Sequence, residues 1–235
     1  MTKRKRETLH WQESGEPEQP LRSASVVDAA FRIDCRQLPA DHAYLLSKAV
    51  ESLLPWLPGE ASAGIHALHG AESGNGWQRP GESGVIHLSR RVRLILRVPR
   101  SRLESCADIN GKTLNIADAR VVLGSIKVRE LGPASTLFAR RVISGPDESE
   151  DVFLDRVNEE LAELKVTALK QLPGRMSRIS TPVGEVYARS LMLAELPAAD
   201  SIRVQESGLG EARALGCGLF VPHKSISAVN RSFDE

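Results

Sequence analysis

The sequence predicts an α+β fold made of two consecutive β-α-β-β-α-β halves. Three observations carry this. Short segments of alternating apolar and polar residues recur along the chain, helical-period segments interrupt them at matching places, and Gly132-Pro133 separates two runs of the same order.

Residues 1–24 open with a polar stretch that includes Lys3-Arg4-Lys5-Arg6 and has no apolar signal core, so a disordered tail is expected. Residues 24–36 end in alternation, with Phe31, Ile33 and Cys35 on one side, and read as a strand. Asp41 is the expected N-cap of a helix bearing Tyr44, Leu45, Ala49, Leu53 and Leu54 at helical spacing. Pro55 stops that helix. Residues 63–69 form a short strand or loop edge, and the glycine-rich, polar residues 72–84 a loop. Strands follow over 85–88 and 92–98, then a short helix from Pro99 to 107. Residues 113–131 hold further strands with a turn at Ala117-Asp118.

After Gly132-Pro133 the order restarts. Residues 135–143 read as a strand, and 149–164 as a helix with Val152, Phe153, Val157, Leu161 and Leu164 on its apolar face. Strands over 168–179 and 184–194 flank Thr181-Pro182, a short helix covers 200–206, and 219–221 is the last strand. Each half is thus expected to be ferredoxin-like (RRM-like), with domains over 25–132 and 133–235.

Composition narrows the function. The chain has 235 residues, of which 41% are hydrophobic, enough for a real core. Its net charge of +1 hides an uneven distribution. Residues 89–103 carry six arginines and no acid. Arg140-Arg141 and the pair Arg175 and Arg178 form smaller basic clusters, while acids gather over 147–151 and at Glu159, Glu160 and Glu163. Local potential governs encounter with a polyanion, so a neutral chain with basic strips can bind one. Aromatics are only 4% of the chain, which argues against bases stacked across a sheet face.

Cys35, Cys106 and Cys217 form no Cys-x-x-Cys pair, which fits a reducing cytoplasm without a disulfide framework or zinc site. No apolar run is long enough for a bilayer, so no membrane partner is expected. Asp34, Asp41 and Asp108 make no recognisable ligand set, and there is no Gly-x-Ser-x-Gly elbow. Neither a metal nor another cofactor is expected.

The most informative segment is the glycine-rich loop over 208–218. Gly208, Gly210, Gly216 and Gly218 stand in two Gly-x-Gly pairs around Glu211 and Arg213, each pair enclosing one residue, Leu209 or Cys217. Glycine reaches φ > 0 and lets a backbone come close. The loop's amides are therefore expected to face an anion, as backbone nests do. The alternative is a tight loop without a ligand.

With this loop before the last strand and the duplicated order, the sequence resembles the Cas-six family. These are CRISPR-associated endoribonucleases of the RAMP superfamily, and the chain is most similar to the form of Myxococcus-type type I systems. GLGEARALGCGLF fits the family's glycine signature without a gap. LPADHAYLLSKAVESLLPW resembles the lead-in to its first helix, and GIHALHG supplies a histidine just after it. The resemblance covers about residues 26–225. It implies a metal-independent enzyme that binds the repeat stem-loop of precursor CRISPR RNA. Such an enzyme cleaves within the repeat by 2′-hydroxyl attack, leaving a 2′,3′-cyclic phosphate. Other subunits of a CRISPR effector complex are further partners it implies. A non-catalytic RNA-binding subunit of such a complex is the alternative.

That reaction needs a base for the 2′-hydroxyl and an acid for the leaving oxygen, roles that suit histidine. His66 is the first candidate, in a segment flanked by Gly64 and Gly70; a hydrogen-bonded structural histidine is the competing account. His42 is second, at a helix N-terminus whose dipole lowers its pKa and attracts phosphate. His69 is third. Lys48 is the candidate cation for the phosphorane and Tyr44 a candidate orienting group, although a solvated lysine and a half-buried tyrosine explain both. Arg90, Arg91, Arg93, Arg97 and Arg100 are candidate phosphate contacts. Alternation puts Arg91, Arg93 and Arg97 on one strand face and Leu94, Leu96 and Val98 on the other. Arg175 and Arg178 precede the Thr181-Pro182 hairpin, whose family counterpart enters the stem's groove. With Arg213 and the four loop glycines they complete the expected RNA-binding set.

Overall fold

A computed structural model describes residues 24–70, 84–168 and 170–223. The expected N-terminal tail, except Ala24, and the expected loop over 72–84, except Gly84, lie outside the described residues.

The first half runs β1 (Val26–Asp34), β2 (Gln37–Pro39), α1 (Ala43–Leu53), β3 (Gly64–Ile65), β4 (Val85–His87), β5 (Arg93–Pro99), α2 (Leu103–Ala107), β6 (Thr113–Ile116) and β7 (Ala119–Glu130). Five strands form an antiparallel sheet in the order β3-β5-β1-β7-β6, and β2 pairs with β4 apart from it. Period-2 alternation sends Val27, Ala29 and Phe31 of β1, with Leu94, Leu96 and Val98 of β5, into one core. Helix α1 covers that core with Leu46 and Val50, and Leu54, just past its end, joins them. The expected apolar face of this helix holds in part, since Leu54 is buried and Ala49 and Leu53 pack against the core. Leu45 is exposed at 39%, and the buried stripe is Ala43, Leu46, Ser47 and Val50.

The N-cap is also corrected. His42, not Asp41, occupies that position, and no side chain caps the helix. Asp41 instead accepts a 2.9 Å hydrogen bond from the Ser180 backbone N–H, so its carboxylate ties the start of α1 to the other half.

The second half runs β8 (Thr136–Ile143), α3 (Glu150–Glu163), β9 (Lys170–Thr181), β10 (Gly184–Ala194), α4 (Ala198–Ser207) and β11 (Phe220–Pro222). Its four strands are antiparallel in the order β11-β8-β10-β9. Ser149 caps α3 by accepting from the Val152 N–H. Phe153, Val157 and Leu161 of α3 meet Leu137, Ala139, Leu191 and Phe220 in a second core. Val152, expected on that face, is 57% exposed, because it sits in the first turn beyond the sheet-facing stripe. The whole is a mixed fold of helices and antiparallel sheets. Among the described residues no helix is long and apolar enough to cross a membrane.

Candidate active site

The outer face of the first sheet, opposite its core, carries Asp28 of β1 directly across from Arg97 of β5, and Gly64 of β3 on the other side of Arg97. Cross-strand partners share a face. Alternation therefore assigns Arg93 and Arg97 to one face, as expected, but that face does not meet solvent at Arg97. The second half covers it. The Arg97 guanidinium is fully buried and donates to both Asp28 oxygens (Nε–Oδ1 2.9 Å, Nη2–Oδ2 3.1 Å). Its Nη1 donates to the carbonyls of Gln205 (2.9 Å) and Phe220 (2.8 Å). Arg97 is thus a bolt between the halves and is corrected as an RNA contact.

The glycine-rich loop is corrected in the same way. Gly208, Gly210, Gly216 and Gly218 all have positive φ. Their amides, however, donate within the chain, to Val204 O, Glu160 Oε2, Arg213 O and Arg141 O respectively. No glycine N–H of the four is left for a phosphate in this arrangement. Close approach requires Gly208, Gly216 and Gly218 instead. A Cβ on Gly218 would lie 2.1 Å from the Leu209 carbonyl oxygen, and one on Gly216 would lie 3.1 Å from the Ile65 carbonyl oxygen. Arg213, at 9% exposure, donates to the carbonyls of Ser62, Ser207 and Glu206, so it fastens the loop to the residues before β3 rather than facing outward.

The loop therefore braces the segment after β3, which holds His66 and His69. His66 continues the β3 pairing, its N–H donating to Ile95 O at 2.9 Å. Its ring is 14% exposed, with Nε2 sealed in at 3.6 Å from Asp28 Oδ1, beyond hydrogen-bond reach. A cleft opens here between the halves. One part, of about 460 Å³, is lined by His66, His69, Arg93, Ile95, Arg140 and Gly216 among others. The other, of about 670 Å³, is lined by His42, His69, Arg140, Arg141, Arg175 and Ser190 among others. His69 and Arg140 belong to both parts.

The arginines reach this cleft through two strand irregularities. Pairing of β10 with β8 slips between Arg189 and Leu191, leaving Arg140 and Arg141 together opposite Ser190. Pairing of β10 with β9 slips at the same place, leaving Gly174 and Arg175 opposite Ser190. A bulge puts two residues against one and re-aims side chains, commonly beside active sites. Strict alternation would have put Arg140 and Arg141 on opposite faces; the bulge lets both line one cleft.

The site is electropositive and holds its imidazoles neutral. Burial, then Arg140 and Arg141, with smaller effects from His42 and His66, push His69 down to about 3. Burial lowers His66, opposed by Asp28. Burial also lowers His42, opposed by the Pro39 carbonyl that its Nδ1 meets at 2.8 Å. A carbonyl only accepts, so His42 Nδ1 carries the proton. The depression expected of His42 is thus present, but its leading cause is desolvation rather than a helix dipole.

The remaining expected residues fall outside the cleft. Lys48 is exposed at 55%, bonded to Glu51 at 2.5 Å, and lies 5.8 Å from the ring centre of half-buried Tyr44. Neither lines the cleft, because they share the outward side of α1 while His42 sits at its buried start. Arg90 and Arg91 are exposed in the turn before β5, not on a strand face. Arg100 pairs with Glu130, and Arg178 lies 3.5 Å from Glu185. The structure thus gathers His66, His42, His69, Arg93 and Arg175 from the candidates. It adds Arg140 and Arg141, whose only sequence signal was a basic doublet inside an apolar strand.

The model of the Cas6 CRISPR family matches residues 27–225. The chain belongs to the Cas6 family. The CRISPR-associated endonuclease Cas6 of Myxococcus xanthus (strain DK1622) is 32% identical over 196 residues, covering 83% of this chain and 81% of that protein. The resemblance seen in the glycine loop and first helix is therefore borne out. Among solved structures, a Cas6-related protein of Pyrococcus furiosus superposes with a TM-score of 0.57 at 12% identity, over 85% of this chain and 99% of that one. A RAMP protein described as binding different RNA substrates gives 0.55 at 15% identity, over 85% and 99%. At these identities the structural likeness establishes the Cas6 fold alone.

Proposed function

We propose that this chain is a Cas6 endoribonuclease that binds the repeat stem-loop of precursor CRISPR RNA and cuts it within the repeat without a metal ion. Two ferredoxin-like domains, over 25–132 and 133–235, carry the site. The strand order of the second sheet, with a helix after its first and third strands in sequence, supports that reading. So does β7-β1-β5-β3 in the first sheet, with β6 as an added edge.

One observation carries the function: two histidines, His66 and His69, share a cleft with Arg93, Arg140, Arg141 and Arg175. Neutral His66 takes the proton of the 2′-hydroxyl. The 2′-oxygen bonds to phosphorus, the P–O5′ bond breaks, and His69 hands its proton to the departing 5′-oxygen. Burial and, after it, Arg140 and Arg141 disfavour that proton on His69; the bound phosphate favours it, because the anion offsets the arginine charges. Guanidinium forks suit the phosphate oxygens.

Single-turnover cleavage of a repeat hairpin in excess chelator tests this. His66→Gln and His69→Gln are each expected to slow cleavage by about 10²–10⁴-fold. Lys48→Ala is expected to cut like the parent. Parental rates for both histidine variants would overturn the assignment.

A further inference from the structure

We infer that Asp28 is a positioning residue that fixes the tautomer of His66, with Arg97 holding the carboxylate in place. This rests on the proposed role of His66 as the base.

The sequence separates these residues widely, but the sheet joins them. Asp28 and Arg97 are direct partners across β1 and β5, and β3 pairs with the far side of β5. His66 stands two residues beyond Gly64, the partner of Arg97, and so shares its face. The Asp28 carboxylate can only accept a hydrogen. With Nε2 sealed and facing Asp28, the hydrogen of the neutral ring resides on Nε2. Nδ1 then holds the lone pair, and His66 is one of the residues that line the cleft. When Nδ1 takes the 2′-hydroxyl proton, the new positive charge lies beside a fixed carboxylate. The 3.6 Å separation shortens as that charge develops, in line with catalytic hydrogen bonds that tighten only with substrate.

Arg97 makes this geometry stiff. Its four hydrogen bonds run to Asp28, Gln205 and Phe220, so the carboxylate cannot swing away without opening the seam. Burial pushes the Asp28 carboxyl up, but contacts with His66 and Arg97 outweigh it and keep the group ionised far below the usual carboxylate range. The charged and titratable groups around His66 are Asp28 from β1, Arg97 from β5, Arg213 from the glycine loop and His69 from its own segment, with Arg93 of β5 and Arg140 of β8 lining the same part of the cleft. Asp28 is the sole anion of that set.

Two measurements on the full chain test the inference. The first needs no change at Asp28. A two-bond ¹⁵N–¹H spectrum of the parent, assigned with His66→Gln, is expected to show His66 protonated at Nε2; an Nδ1–H tautomer overturns the inference. The second is kinetic. Asp28→Asn is expected to slow single-turnover cleavage by about 10²-fold and to move the acid limb of the pH–rate profile to lower pH. Its affinity for a 2′-deoxy repeat should stay within about twofold of the parent. Asp28→Glu should recover part of the rate, and Asp28→Asn should add nothing to His66→Gln. An equal slowing in the His66→Gln background, or none in the parent, overturns the inference. Failure of the base assignment is seen separately, as undiminished cleavage by His66→Gln itself.

Discussion

Two sets of arginines in this chain look alike in the sequence and stand in opposite settings. Arg97 and Arg213 lie in the seam between the halves, and Arg140 and Arg175 stand on the exposed wall of the cleft. The seam arginines spend their donors on carbonyls and on Asp28. The cleft arginines are placed by bulges opposite Ser190. Charge alone does not separate a buried bolt from an exposed cleft residue; what lies across the face does.

The comparison breaks most visibly at Arg97. Replacing it with methionine strips the part-buried Asp28 carboxylate of its arginine partner, and loss of one member of a buried pair costs about 3–5 kcal/mol. Chemical denaturation should show that loss, and an unchanged midpoint would mean the seam is not held by this residue. Next comes Gly218→Ala. Its φ of +67° and the 2.1 Å approach to the Leu209 carbonyl oxygen leave no room for a methyl, so about 2–4 kcal/mol should be lost. A neutral result would restore the loop as a pliable anion nest.

A smaller effect follows acid. The folded state keeps His69 neutral down to about pH 3, whereas the unfolded chain protonates it near 6.5. Between those values the unfolded state binds more protons, so stability rises with pH through the window and falls on acidification. His69→Gln should flatten that fall in melts taken from pH 7 to 4. Asp28 acts with the same sign but lower. Its depressed carboxyl contributes stability above the ordinary value of 3.8 that is lost as pH drops further. The least effect on folding is expected for Arg140→Ala and Arg175→Ala, within about 0.5 kcal/mol. Both should instead weaken RNA binding, each lowering the salt slope by about 0.7–0.9. A large loss of stability with unchanged binding would move them into the seam set.

The legible parts of the fold were those with local causes. Period-2 runs located β1, β5 and β8, Ser149 marked the start of α3, and Pro55 closed α1 near its observed end. The glycine signature and the histidine segment pointed to the family that the matches established. What could not be read was non-local. Alternation assigned Arg97 to a face, but not the second half that covers it. The glycines signalled positive φ, but not that Val204, Glu160, Arg213 and Arg141 would already occupy their amides. Arg140 and Arg141 share a wall only because β8 carries one residue more than β10 beside Ser190. Bulges leave no single-sequence signature in an apolar strand.

The central claim is that a ribose hydroxyl, activated in the His66–His69 cleft, is the nucleophile. Single-turnover cleavage of a repeat hairpin carrying one 2′-deoxy sugar just upstream of the cut tests it most directly. The account predicts that this RNA binds like the unmodified hairpin and stays intact in chelator, while the unmodified hairpin yields a 2′,3′-cyclic phosphate end. Cleavage of the 2′-deoxy hairpin at an undiminished rate would contradict it.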